Sequence, residues 1–292
     1  MSLFEITVFG LNVLLIAIIT AATCAIPGSF IVLQRSSMLV DALSHAVLPG
    51  IVVGFLLTHD LRDPLLLVGA GVSSLLVVIG STALQRTGLI AGDAPIGLMF
   101  MALFSIGVLL VTKHATHVHL DVHAVLVGDL SLVAMEKIEL AGVDIGPRFF
   151  YIMLALGLIN LLLVAVFYRQ LQVSTFDPEF ARTLGLRTEL LRWSLLILTA
   201  VTVTAAFYVV GAVLVIALFI IPAALAMLHV KHLRTMIFAA AIWGASAAAI
   251  GFFISYKVAN LPTGPTVAAV LAVMLLAVIA AQRLLAKFRK KS

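Results

Sequence analysis

Asp41 and His45 stand four residues apart inside a chain otherwise built for lipid. The stretch reads Gln34-Arg-Ser-Ser-Met-Leu-Val-Asp-Ala-Leu-Ser-His-Ala-Val-Leu-Pro-Gly50 and runs on into apolar Ile51 to Leu57. On a helix this spacing places both side chains on one face, about 6 Å apart along the axis. A carboxylate and an imidazole so placed can grip a divalent cation, or can satisfy each other as a structural hydrogen bond. Ionisable groups within a bilayer are costly and usually functional. Pro49 has no N–H to offer the His45 carbonyl, so the spacing predicts a helix that breaks or kinks there.

The donor set narrows the choice of ion. One carboxylate plus one imidazole, without a thiolate, suits Mn(II), Fe(II) or Zn(II) and argues against Cu(I), which favours soft sulfur. Oxygen weighs heavily in the set, so manganese is the first choice. Two protein ligands are fewer than the four to six such ions prefer. A weak site suits a path that an ion must leave as well as enter.

A second cluster, His114, His117, His119 and His123 with Asp121, has the same nitrogen and oxygen character. Its spacing matches no single helical face: 119 pairs with 123, 114 with 117, and 121 lies elsewhere. It reads either as a metal-receiving mouth on the outer side or as a solvated loop. Asp93 and Asp129 read as helix caps or loop residues. His229 and His232, beside Lys231 and Arg234, read as a basic cytoplasmic end. Cys24 is the only cysteine, which excludes an internal disulfide and a thiolate cluster.

The elements that carry these residues follow from composition. Of 292 residues, 63% are hydrophobic and 11% charged, and the mean hydropathy is +1.23. Soluble domains hold about a quarter charged residues. Several apolar runs reach the roughly 20 residues needed to cross hydrocarbon. The fold class is an all-α polytopic transmembrane helical bundle of eight or nine spans, with residues 1–292 forming one membrane domain. Met1 to Thr7 carry no Lys or Arg, which speaks against a cleaved signal.

The expected spans are Leu11–Leu33, Leu39–Leu57, Pro64–Leu84, Ala94–Val111, Phe149–Tyr168, Trp193–Leu228, Leu233–Tyr256 and Thr266–Leu285. Trp193–Leu228 is too long for one crossing. It reads as two short helices turning near Gly211 or as one helix broken at Pro222. Between Lys113 and Arg148 the apolar pieces are too short to span and read as short interfacial or re-entrant helices.

With nine spans and the N-terminus outside, Arg35, Arg86, Arg169, Arg182, Arg187, Arg192, Lys231, Arg234 and the basic tail from Arg283 all fall inside. That arrangement obeys the positive-inside bias and places the C-terminus in the cytoplasm. The net charge of +5 then reflects span-flanking residues against lipid, and no nucleic-acid partner is implied.

Phe176-Asp-Pro-Glu-Phe-Ala-Arg-Thr-Leu-Gly-Leu186 predicts a short helix in a cytoplasmic loop. Asp177 caps it, Pro178 occupies its first position, Glu179 lies near its positive end, and Gly185 supplies a left-handed stop.

Together these segments resemble the permease subunit of ABC importers for manganese, zinc and iron. Four blocks carry the resemblance: Arg35 to Gly50, Gly128-Asp-Leu130, Asp177 to Gly185, and Val210-Gly-Ala-Val-Leu-Val-Ile-Ala-Leu-Phe-Ile-Ile-Pro-Ala-Ala223. The turn Pro262-Thr-Gly-Pro-Thr266 also fits. The family often has two basic residues where this chain has Gln34-Arg35, and Gly where it has Val40; neither change removes a ligand.

The resemblance implies a dimeric pore, formed with a second permease protomer of the same or a related kind, in a bacterial plasma membrane. It also implies cytoplasmic ABC ATPase subunits and an extracytoplasmic metal-binding protein. Asp41 and His45 match the metal-contacting pair of the translocation path. Pro178, Glu179, Phe180, Ala181, Arg182, Leu184 and Gly185 match the coupling helix that docks on the ATPase. No cofactor of its own is expected, only the transported Mn2+, Zn2+ or Fe2+. No Gly-x-x-x-x-Gly-Lys-Ser/Thr loop occurs, so ATP would be hydrolysed on the partner and the chain itself is no enzyme. An ATP-independent, ion-coupled carrier is the rival reading. The absence of His-Glu-x-x-His disfavours an intramembrane metalloprotease.

Overall fold

A computed structural model describes residues 8–59, 63–90, 92–114, 130–140, 143–258 and 261–289. Four long helices come first: α1 (Val8–Leu33), α2 (Met38–Thr58), α3 (Leu65–Arg86) and α4 (Ala94–His114). The short α5 (Leu130–Met135) leads into an antiparallel hairpin of β1 (Lys137–Leu140) and β2 (Val143–Pro147). Then follow α6 (Arg148–Val166), α7 (Tyr168–Phe176), α8 (Pro178–Thr183), α9 (Thr188–Met227), α10 (Leu233–Lys257) and α11 (Thr263–Arg289).

Eight of these helices are long and apolar enough to cross a membrane, which bears out the all-α polytopic bundle. The hairpin is a correction. Residues 137–140 and 143–147 fall where short helices are expected, and they pair as strands instead. Lys137-Ile-Glu-Leu140 alternates polar and apolar residues, the period of a strand and not of a helix.

The bundle is built around α9 and α1. Buried residues fill 72% of the most apolar window of α9 but only 17% of that of α11, so α11 lies at the rim. Because lipid is as apolar as leucine, the helices are joined by close packing and hydrogen bonds between them. Asn160 of α6 donates to Thr202 Oγ1 of α9 (3.1 Å), and its amide also reaches the Thr23 carbonyl of α1 (3.4 Å). Thr23 Oγ1 in turn donates to the Met153 carbonyl (3.1 Å). All three side chains are buried, so every one of these polar groups needs its partner.

Forty helical residues would run about 60 Å if straight, twice the thickness of the hydrocarbon core. The chain solves this at Gly211, whose φ of 76° and ψ of 169° lie in a region that essentially only glycine enters. Pro222 sits inside a continuous helical stretch, so of the two expected break points the structure uses Gly211. Leu191 and Leu195, at the start of α9, share one buried cluster with Leu233 and Ile237, at the start of α10, around Ile26 and Phe30. The chain has therefore come back to its starting side by Leu233. The segments Thr188–Val210 and Ala212–Met227 are two arms of one folded element.

Candidate metal site on the second helix

Asp41 falls in the first turn of α2 and His45 one turn further on. Their nearest atoms, Asp41 Oδ1 and His45 Nε2, are 3.5 Å apart. That exceeds the 2.7–3.2 Å of an N–H···O hydrogen bond. Neither side chain is buried, at 43% exposed for Asp41 and 31% for His45, whereas the adjoining Val40, Ala42, Leu43 and Ser44 are sealed in the core. With metal–ligand bonds of about 2.1 Å, a 3.5 Å separation lets both atoms bind one cation at an angle of roughly 110°. The separation is compatible with two donors on one ion.

The break expected at Pro49 does not occur: α2 is helical from Met38 to Thr58 without interruption. Packing holds it. On one side Gly50 and Gly69 bring the backbones of α2 and α3 into direct contact, leaving no room for a side chain on either. On the other, α4 presses on the proline itself, since a Cβ added to Gly107 would lie 2.9 Å from Pro49 Cα. The His45 carbonyl still lacks its usual donor, because proline has no N–H.

His45 is also ringed by aromatic side chains that sequence reasoning did not single out. Phe100 of α4 stacks on the imidazole, with centroids 5.6 Å apart and planes 29° apart. Phe104 meets it edge-on at 6.0 Å. An open pocket of about 320 Å³ beside the imidazole is lined by these two rings, Met101 and Ser105. Among the described residues no third His, Cys, Asp or Glu joins Asp41 and His45 as a ready-made ligand. His114 is the last residue of α4, and His117, His119 and His123 lie outside the described residues, as do Asp121, Gly128 and Asp129.

The helix α8 forms as its sequence predicts. Asp177 Oδ1 accepts from the Phe180 N–H (2.9 Å), and Pro178 opens the helix. At the other end the Leu186 N–H reaches the Ala181 carbonyl (3.1 Å) and the Gly185 N–H the Arg182 carbonyl (3.0 Å). This pair of bonds closes around Gly185 at φ +75°. Pro178, Glu179, Phe180, Arg182, Leu184 and Gly185 are exposed, while Ala181 is fully buried against the chain's own core.

Beside α8 the end of α3 is strapped to the start of α9. Arg86 pairs with Glu189, Arg192 donates to Gln85 Oε1 (2.9 Å), and Trp193 Nε1 holds Glu189 (3.1 Å). A cleft of about 370 Å³ near α8 is lined by Gln34 and Ser36 from the α1–α2 turn together with Arg182 and Arg192. Asp41 and His45 therefore lie within about 10 Å of the bundle's α8 end, counting 1.5 Å per residue from Met38. At the opposite end, a cavity of about 780 Å³ opens between Asp63, Glu136, Lys137 and Arg148.

Fold and site together define a polytopic helical membrane protein with a partly exposed carboxylate–imidazole pair on its second long helix. Residues 7–282 match the family described as ABC 3 transport family, and the chain belongs to it. It is 41% identical over 212 residues to the zinc transport system membrane protein TroD of Treponema pallidum, covering 73% of this chain but only 58% of that protein. It is 36% identical over 236 residues to the manganese transport system membrane protein MntD of Bacillus subtilis, covering 81% and 80%. The solved structure of PsaBC from Streptococcus pneumoniae in complex with Fab superposes with a TM-score of 0.76 at 29% identity, covering 93% of this chain and 91% of that one.

Proposed function

We propose that this chain is the permease subunit through which an ABC importer moves a divalent transition metal, with Mn2+ the first choice and Zn2+ or Fe2+ next. The observation that carries the proposal is the open Asp41–His45 pair, 3.5 Å apart, on a helix that spans the bundle. Relatives named as zinc and manganese transport system membrane proteins support the cargo class. The remaining ligands come from water, backbone carbonyls or a second permease protomer, since two protein donors leave the shell incomplete.

ATP hydrolysis belongs to cytoplasmic ATPase subunits that dock on α8, where Phe180 and Leu184 are more than half exposed. The N-terminus lies outside and the C-terminus inside. Metal then arrives from an extracytoplasmic binding protein at the end holding Asp63 and Glu136 and leaves past α8.

The test is radiolabelled metal uptake into proteoliposomes containing permease, ATPase and metal-loaded binding protein. Uptake is expected to require ATP and to vanish in Asp41→Ala and His45→Ala while the complex still assembles. ATP-independent uptake would establish the ion-coupled carrier instead. Unchanged ATP-driven uptake in both variants would reduce the pair to a structural role.

A further inference from the structure

The face of α4 that meets α2 is a stripe of four residues, Gly97, Phe100, Phe104 and Gly107, at spacings that lie on one side of a helix. Its two ends are glycines and its middle is aromatic. A Cβ added to Gly97 would come within 3.8 Å of the Met38 side chain, and one on Gly107 would press on Pro49. The two helices therefore run parallel in close contact, with His45 at a level between the two glycine contacts. Phe100 covers a face of the imidazole and Phe104 abuts it from the side.

A histidine ring turns about a broad, roughly two-fold final torsion, so the groups packed on it decide which way it faces. We propose that Phe100 and Phe104 are positioning residues that hold the His45 imidazole edge-on to Asp41 and so set the angle at which the pair meets a cation. This inference rests on the transport reading given above. The angle matters because zinc takes tetrahedral ligands, whereas manganese takes octahedral oxygen-rich sites that want donors at right angles. Closing the pair from 3.5 Å to about 3.0 Å converts roughly 110° into about 90° at bonds of 2.1 Å. A shift of half an ångström in the imidazole therefore decides which geometry the site offers. The open pocket beside His45 leaves room for water to fill further positions.

The experiment compares initial uptake of Mn(II) and Zn(II), each delivered by loaded binding protein to the full permease–ATPase complex, in wild type, Phe100→Leu, Phe104→Leu and Phe100→Tyr. Leucine keeps the apolar bulk but loses the flat face, and tyrosine keeps the face. Outer-shell groups that orient a metal ligand are worth about 10–100-fold, so Phe100→Leu is expected to lose roughly tenfold in Mn(II) uptake. Its Mn(II)-to-Zn(II) ratio should shift by about threefold or more, while Phe100→Tyr stays within about twofold of wild type in both.

A merely structural contact changes the amount of folded complex but not the ratio. Wild-type rates and ratio in the leucine variants, or lost uptake at an unchanged ratio, would overturn the inference. If Phe100→Leu does not assemble, Phe104→Leu carries the same two measurements. Wild type that moves neither metal would count against the transport reading itself.

Discussion

At Asp41 the question is whether charge or shape matters. Asn has the same size and can still accept a hydrogen bond, but it brings no negative charge to a cation. Asp41→Asn is therefore expected to cost at least about tenfold in metal uptake with complex assembly intact, and Asp41→Glu to retain more than Asn does. Equal uptake in Asn and wild type would remove the carboxylate from the transport path. The Asp41–His45 pair was legible in the sequence because two ionisable residues one turn apart stand out in an apolar helix. Phe100 and Phe104 were not, since a phenylalanine in an apolar span looks the same whether it faces lipid or an imidazole. Only the packing of α4 on α2 separates those cases.

Among the elements, α8 was readable to the residue because its signals are local: Asp177 at the cap, Pro178 at the first position, Gly185 at the stop. The β1–β2 hairpin was missed because its strands are only four and five residues long, too short to outweigh the helical surroundings. The predicted break at Pro49 failed for a different reason. Close contacts at Gly50, Gly69 and Gly107 pack α2 on both sides of Pro49, and the helix continues through it.

Two predictions belong at this scale. Gly185→Ala forces a side chain into left-handed backbone, at about 1–2 kcal/mol, and should weaken pull-down of the ATPase more than it lowers permease expression. An unchanged pull-down would show that the stop of α8 is not needed for docking. The Arg86–Glu189 pair is exposed on both sides, so its own stability contribution is about 0–1 kcal/mol. If it ties α3 to the start of α9 during transport, Arg86→Glu should reduce metal moved per ATP hydrolysed, and adding Glu189→Arg should restore it. Failure of the double variant to recover would reduce the pair to surface decoration.

For the molecule as a whole, the side of each loop follows from the number of passes, and that number turns on Gly211. Cys24 is buried, so Cys24→Ser gives a background in which single cysteines report sidedness. With nine segments and the N-terminus outside, a cysteine at Lys137 should react with an impermeant maleimide from outside intact cells. One at Arg234 should react only after lysis. The reverse pattern would invert the topology. Composition and hydropathy made the class of fold legible from the outset. The parity of the passes was left between eight and nine, because apolar residues on both sides of a turn inside the membrane look like one long run.

The folding of α9 at Gly211 bears on how the chain enters the membrane in the first place. Insertion machinery that sorts segments by hydropathy meets Thr188 to Met227 as a single stretch with no polar gap to mark a stop. Neither arm can be released into lipid as an independent unit at a hydrophilic boundary, because there is none between them. To such machinery the stretch offers one continuous apolar signal where the folded chain needs two arms, and the single residue that divides them, Gly211, is itself apolar.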